Sequence, residues 1–169
     1  MGECDIEKLY DDHAQALFSY LINLTRSEAD TRDVLQDVFC KVVSNPKLLD
    51  NVRERRGFLI RLAHNAAIDL MRRRMAREGK HERFGLEIQT QFEPAENQDE
   101  EAFRAELSKA LSELPEEQRV VVHLKLWERM TFEAIAETLQ IPLNTAASRY
   151  RYGIDKLRER LRPLYRECL

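Results

Sequence analysis

The stretch "TLQIPLNTAASRYRYGIDKLRERL", residues 138–161, decides how the second half of this chain is read. A helical pattern stops at Ile141-Pro142, and a second starts at Asn144 and runs into arginines. Upstream, Phe132, Ile135, Ala136 and Leu139 share one face of a short helix, with Thr131 as its expected cap. Downstream, Ala146, Tyr150, Ile154, Leu157 and Leu161 share one face of a longer helix that Asn144 is expected to cap. With so short a break, both apolar faces point inward only if the helices cross steeply, which is helix-turn-helix geometry. A helical hairpin in any small bundle has the same apolar faces. The small Ala136 at the expected crossing and the arginines of the second helix favour a DNA-reading turn. Its outward face carries Ala147, Ser148, Arg151, Tyr152 and Asp155, and its first half is the part that meets base edges in a major groove. Gln140 sits where such a turn needs a left-handed residue, at a cost of roughly 1 kcal/mol for a residue other than glycine.

Working outward, the rest of the chain also reads as helix. It has 169 residues with five glycines and five prolines, and no stretch alternates with period two for long. Ile6, Leu9, Tyr10, Leu17, Leu21 and Leu24 predict a first helix over about 3–25. Ser27 with Asp30 marks a second helix start. Val34, Leu35, Val38, Val42 and Val43 form its stripe, which ends near Asn45-Pro46 because proline disfavours helix at the residue before it. Residues 46–56 read as a polar, basic loop, and a long helix follows over about 57–78, with Leu59, Leu62, Ala63, Ala66 and Leu70 inward. The segment "FGLEIQTQFEPAENQDE", 84–100, is acidic and weakly periodic and reads as a tether. Beyond it, Phe103, Leu107, Ala110, Leu111 and Leu114 form a helix stopped by Pro115, and Glu116 and Glu117 open the next. The fold class is therefore all-α: two small helical domains, 1–78 and 101–169, joined by a flexible acidic linker over 79–100.

Net charge is −3, yet the basic residues are clustered. Ten basic residues face four acidic ones over 52–83, and seven face two over 147–166. Either island alone fits a solvated helix face. Two islands in an acidic chain point to two contacts with an anionic polymer. In "FLIRLAHNAAIDLMRRRMAR", 58–77, Arg61, Asn65, Asp69 and Arg72 stack on one face, where Asp69 can pair with Arg61, Arg72 or Arg73. Asn65 offers a donor and an acceptor to a base edge, and Arg72-Arg73-Arg74 suit a phosphate backbone.

Other functions find less support. Cys4, Cys40 and Cys168 have no metal-ligand spacing and read as buried or incidental thiols of a reducing compartment. The scattered carboxylates and histidines form no constellation for an enzyme, and no metal or cofactor is implied. No run reaches the ~20 apolar residues of a membrane span, and the N-terminus lacks an apolar signal core, so a cytoplasmic location is expected.

Taken in series, "TRDVLQDVFCKVV" (31–43), "FLIRLAHNAAIDLMRRR" (58–74), the run 110–149 and "KLRERL" (156–161) resemble an extracytoplasmic-function (ECF) sigma factor of bacterial RNA polymerase. The resemblance covers nearly the whole chain. It implies a sigma-2 domain that docks on core RNA polymerase through Asp33, Gln36, Asp37 and Phe39. The loop 45–56 would capture a base flipped from the minus-ten element. Arg61, Asn65, Asp69, Arg72 and Arg73 would hold the melted strand. A sigma-4 domain would read the minus-thirty-five element through Thr145, Ala147, Ser148, Arg149, Arg151 and Tyr152. An anti-sigma factor is a further implied partner, besides core RNA polymerase and promoter DNA. Phe58 stands where the family often has Trp, Gln140 where it has the turn glycine, and Ala147 where a basic residue is frequent. The chief alternative is a stand-alone helix-turn-helix regulator on duplex operator DNA. That reading leaves "DVLQDVF" and the arginine helix without purpose, and no coiled coil supplies its dimer interface.

Overall fold

A computed structural model of the chain describes residues 3–78 and 98–167. Among the described residues there are seven α-helices and no strand. They are α1 (Glu3–Thr25), α2 (Glu28–Ser44), α3 (Arg55–Glu78), α4 (Gln98–Glu113), α5 (Glu116–Leu126), α6 (Phe132–Leu139) and α7 (Leu143–Glu167). The chain divides into two compact units. One holds α1 to α3; the other holds α4, α5, α7 and Phe132 to Ala136 of α6.

In the first unit the three helices pack pairwise. Leu17, Tyr20 and Leu21 of α1, Val34 and Val42 of α2, and Leu59, Ile60 and Ala63 of α3 are buried at its centre. The helix boundaries follow local chemistry. Ser27 Oγ accepts from the Asp30 N–H at 3.2 Å and starts α2, and Asn45 ends it ahead of Pro46. The expected loop 46–56 is partly ordered. Pro46–Leu49 forms a 3-10 turn that buries Leu49, and α3 begins at Arg55, two residues early, because Glu54 caps the Gly57 N–H. The buried stripe of α3 also differs from expectation. Ile60 and Ala67 are fully buried, whereas Leu62, Ala66 and Leu70 are only partly so. Helix α3 has neighbours on two sides, α1 and α2, so its inward face is wider than one i, i+3, i+4 line.

One polar pair is built into this core. The Tyr20 hydroxyl and His64 Nδ1 are hydrogen-bonded at 2.8 Å, and Tyr20 is 1% exposed. Burial disfavours the charged imidazolium and lowers the His64 pKa from 6.5 to about 4.

In the second unit α7 packs on α4 and α5. Ala110, Leu111 and Leu114 meet Val122, Leu157 and Leu161 in one apolar cluster, edged by Trp127, Tyr150 and Ile154. Arg119 is buried and donates to the Leu114 carbonyl at 3.0 Å, which satisfies an orphan acceptor at the end of α4. His123 stacks on Trp127 with ring centroids 5.5 Å apart, and its Nε2 lies 3.5 Å from Glu128 Oε1. Thr131 Oγ1 accepts from the Ala134 N–H at 3.2 Å and starts α6. Asn144 does not cap α7. The Pro142 carbonyl accepts from Thr145 and Ala146 at 2.9 and 3.1 Å, so the helix starts one residue earlier, at Leu143.

Among the described residues, three other than glycine have left-handed backbones: Arg26 (φ 52°), Arg129 (φ 53°) and Gln140 (φ 53°). Arg26 follows α1, Arg129 lies between α5 and α6, and Gln140 follows α6. Of the expected linker 79–100, Gln98 to Glu100 belong to α4, and the remainder lies outside the described residues.

Candidate nucleic-acid interface

The first basic surface is the outer face of α3. Asn65, Asp69, Arg72 and Arg73 are exposed, and Arg61 is half-buried with its guanidinium 5.6 Å from the Phe58 ring centroid. Asp69 Oδ1 faces Arg72 Nη1 at 3.9 Å, and Arg73 Nε donates to the Asp69 carbonyl at 3.2 Å. Both contacts place the arginine heads beside Asp69 on the exposed side of the helix. An aromatic ring, an amide and two oriented guanidinium groups on one face suit stacking, base-edge hydrogen bonding and phosphate pairing along a single strand. Arg74 does not join them. It points inward to the buried Asp30 of α2 and forms an ion pair.

The second surface is the start of α7 after a tight turn. The Ile141 N–H donates to the Ala136 carbonyl at 3.0 Å and the Gln140 N–H to Glu137 at 3.3 Å, closing α6 around the left-handed Gln140. Ile135 and Ala146 are fully buried, and Phe132 meets Tyr150 edge-on at 5.5 Å. This packing turns the other side of α7 outward. Thr145, Ala147, Ser148 and Arg149 are partly exposed, and Arg151 and Tyr152 are exposed. Ser148 Oγ donates back to the Asn144 carbonyl at 2.8 Å. Arg151 lies 5.0 Å from the Tyr152 ring centroid, and its Nη2 donates to the Tyr152 hydroxyl at 3.3 Å. Arg149 pairs with Glu117 of α5 at 2.7 Å, which presets its guanidinium at the helix edge.

The third surface is the outer face of α2. Asp33, Gln36 and Asp37 are exposed, one turn apart or adjacent. Phe39 is not on that face. It is 7% exposed and tilts against Tyr10 at 4.8 Å, so it supports the helix from beneath. Cys40 is exposed rather than buried, and the side chains of Cys4 and Cys168 lie outside the described residues. Among the described residues no group of His, Cys, Asp or Glu could hold a metal ion, and no helix is long and apolar enough to cross a membrane.

Sequence reasoning missed the Asp30–Arg74, Glu117–Arg149 and Tyr20–His64 pairs. Each joins residues more than thirty positions apart, where helical periodicity carries no signal. The excess of arginine over nearby acid was the one hint that some cations would be used internally.

The three surfaces fall within two regions that match known families. The family Sigma-70 region 2 matches residues 9–77, and Sigma-70, region 4 matches residues 110–159. The chain is 29% identical to "ECF RNA polymerase sigma factor SigL" of Mycobacterium tuberculosis over 159 residues, covering 92% of this chain and 88% of that protein. It is 29% identical to "ECF RNA polymerase sigma factor SigW" of Bacillus subtilis over 172 residues, covering 95% and 89%. The fold is similar to the sigma factor RpoE, solved in complex with the anti-sigma factor NepR from Bartonella quintana. The TM-score is 0.73 at 20% identity, over 94% of this chain and 97% of that one.

Proposed function

The chain belongs to the ECF sigma factors of RNA polymerase, and from that premise we propose how its lobes divide the work of starting transcription. The protein binds core RNA polymerase and directs it to promoters. The first lobe, 1–78, docks on core RNA polymerase through Asp33, Gln36 and Asp37, with Phe39 holding α2 in shape. Its 45–56 segment receives the base extruded from the minus-ten element. Arg61, Asn65, Asp69, Arg72 and Arg73 hold the melted strand. The second lobe, 101–169, lays α7 in the major groove of the minus-thirty-five element. There Ala147, Ser148, Arg151 and Tyr152 read bases, while Thr145 and Arg149 fix register on phosphate. Residues 79–100 tether the lobes. The protein acts by binding rather than catalysis, in the cytoplasm where the polymerase is, and an anti-sigma factor sequesters it.

The physics supports this division. Flipping a base costs a few kcal/mol of stacking and pairing, which a receiving pocket and an ordered basic face offset. Each small lobe binds weakly alone, and joined on one polymerase they bind together through effective concentration. The observation that carries the reading is the order of matches: region 2 falls on the lobe with the arginine face, and region 4 on the lobe with the turn.

The test is transcription by purified protein plus core RNA polymerase on a genomic fragment library, with the transcript starts sequenced. The expected result is a small set of starts that share two spaced upstream elements. Failure to bind core RNA polymerase, together with tight binding to duplex DNA alone, would instead identify a self-sufficient regulator.

A further inference from the structure

Arg72, Arg73 and Arg74 are consecutive, yet they do different things. Residues on a helix are about 100° apart, so Arg74 lies about 200° round from Arg72. It points back to α2, where its Nη1 donates to Asp30 Oδ2. The Asp30 side chain is 10% exposed and that of Arg74 is 49% exposed. A carboxylate buried this far is rare unless paired.

The corner that holds Asp30 is ordered by α1 and α2 themselves. Ser27 Oγ accepts the Asp30 N–H, Thr25 and Thr31 share a hydroxyl hydrogen bond of 2.8 Å, and Arg26 turns the chain with φ 52°. Thr31 is fully buried. The far end of α3 has much less apolar support. Its last buried apolar side chain is Ala67, and from Arg72 to Arg77 every residue is exposed. Arg72 and Arg73 of the strand-holding face thus lie on a part of the helix where packing no longer sets the helix's direction.

We propose that Asp30 and Arg74 are positioning residues for promoter melting: their ion pair clamps the end of α3 to the α1–α2 corner and sets the angle at which Arg72 and Arg73 meet the DNA strand. This rests on the reading of α3 given above. Neither residue touches DNA. Arg74 serves by facing away from it.

The test uses holoenzyme assembled from the full chain and core RNA polymerase, on the promoter most used in the library experiment. Asp30→Asn and Arg74→Gln are each expected to lower permanganate-detected melting about five- to tenfold, and the double variant to be no worse than the weaker single. Arg74→Lys, which keeps the charge, recovers most of the loss. Affinity for core RNA polymerase stays within about twofold, and the slope of log affinity against log salt is unchanged, since no phosphate contact is lost. A phosphate-gripping Arg74 gives another pattern. Arg74→Gln then lowers the slope by about one, while Asp30→Asn, which releases a cation, keeps or gains DNA binding. That pattern overturns the clamp. So does equal loss of melting and core binding, or no loss in either variant.

If the wild-type holoenzyme opens no promoter, the functional reading fails on its own. The clamp is then judged on the free full-length chain by amide exchange. Asp30→Asn should speed exchange across residues 72–77 and not across 59–67, and unchanged exchange sinks it.

Discussion

Gly153 of α7 crosses α5 so closely that a Cβ at this position would lie 2.7 Å from Val122 Cγ2. Val122 is fully buried, so its methyl has nowhere to retreat. A helical Gly→Ala change gains about 1 kcal/mol of helix propensity. Overpacking costs about 1–3 kcal/mol and wins here. Gly153→Ala should lower the second lobe's stability by about 1 kcal/mol, and Gly153→Val by more, with Val122→Ala partly restoring either. Thermal melts of the wild type, the two single variants and the two doubles with Val122→Ala check this, and a stabilised Gly153→Ala would show that the crossing has room for a methyl group.

The Tyr20–His64 pair makes the first lobe sensitive to acid. Its His64 is lowered from 6.5 to about 4 by burial, so the unfolded chain takes up this proton before the folded one does. Stability from this group is fully present above the unfolded pKa of 6.5 and is lost as pH falls from there toward about 4. At one pKa unit per ~1.4 kcal/mol, the loss by pH 4 is on the order of 3 kcal/mol. Denaturant midpoints between pH 7 and pH 4 should fall more steeply for the wild type than for His64→Gln. Parallel curves would remove His64 from the account.

Asp37 is exposed on α2 between the buried Leu35 and Val38. Asp37→Ala should leave the melting temperature nearly unchanged, because exposed helix substitutions stay within about ±0.5 kcal/mol. Its affinity for core RNA polymerase should fall by about 1–2 kcal/mol. Competition for core against labelled wild-type chain measures this, and full competition would move the docking face off α2.

Ala147 is partly exposed on the first turns of α7 and has no polar atom beyond its backbone. It suits apolar contact with a thymine methyl. Ala147→Arg should therefore change which minus-thirty-five sequences are transcribed while leaving core affinity intact. The two promoter sets can be compared from the same library, and identical sets would place the reading side chains elsewhere on the helix.

Arg149 is held by Glu117 at 2.7 Å and is partly buried at the edge of the outward face of α7. Arg149→Ala should weaken binding to all promoters to a similar degree and reduce the salt slope by about one. A loss confined to one base position would make Arg149 a reader rather than a phosphate anchor.

The helices were legible because each apolar stripe repeats locally, and Ser27 and Thr131 announced their caps in side-chain chemistry. The left-handed turn at Gln140 was readable from the spacing of the flanking apolar faces despite the absence of glycine. Asn144 misled because a good capping residue stood two positions after Pro142, whose carbonyl already takes the Thr145 and Ala146 N–H groups and starts the helix earlier. Phe39 was placed with its exposed neighbours in "DVLQDVF" although its position on the helix turns it toward Tyr10. The uses of Arg74 and Arg149 were hidden for a different reason. An arginine's partner is chosen by tertiary packing, and the reach of its side chain lets it turn to either side of its helix.

The three left-handed corners at Arg26, Arg129 and Gln140 suggest a practical route into this protein. Each carries a side chain where glycine would relieve roughly 1 kcal/mol of backbone cost. Gln140 and Arg129 are exposed, so their replacement removes little packing. Gln140→Gly should then act as a general suppressor: recognition-helix variants too unstable to fold alone would become usable in its background. A chain with such slack at its corners is a good starting point for evolving new promoter preferences in the laboratory.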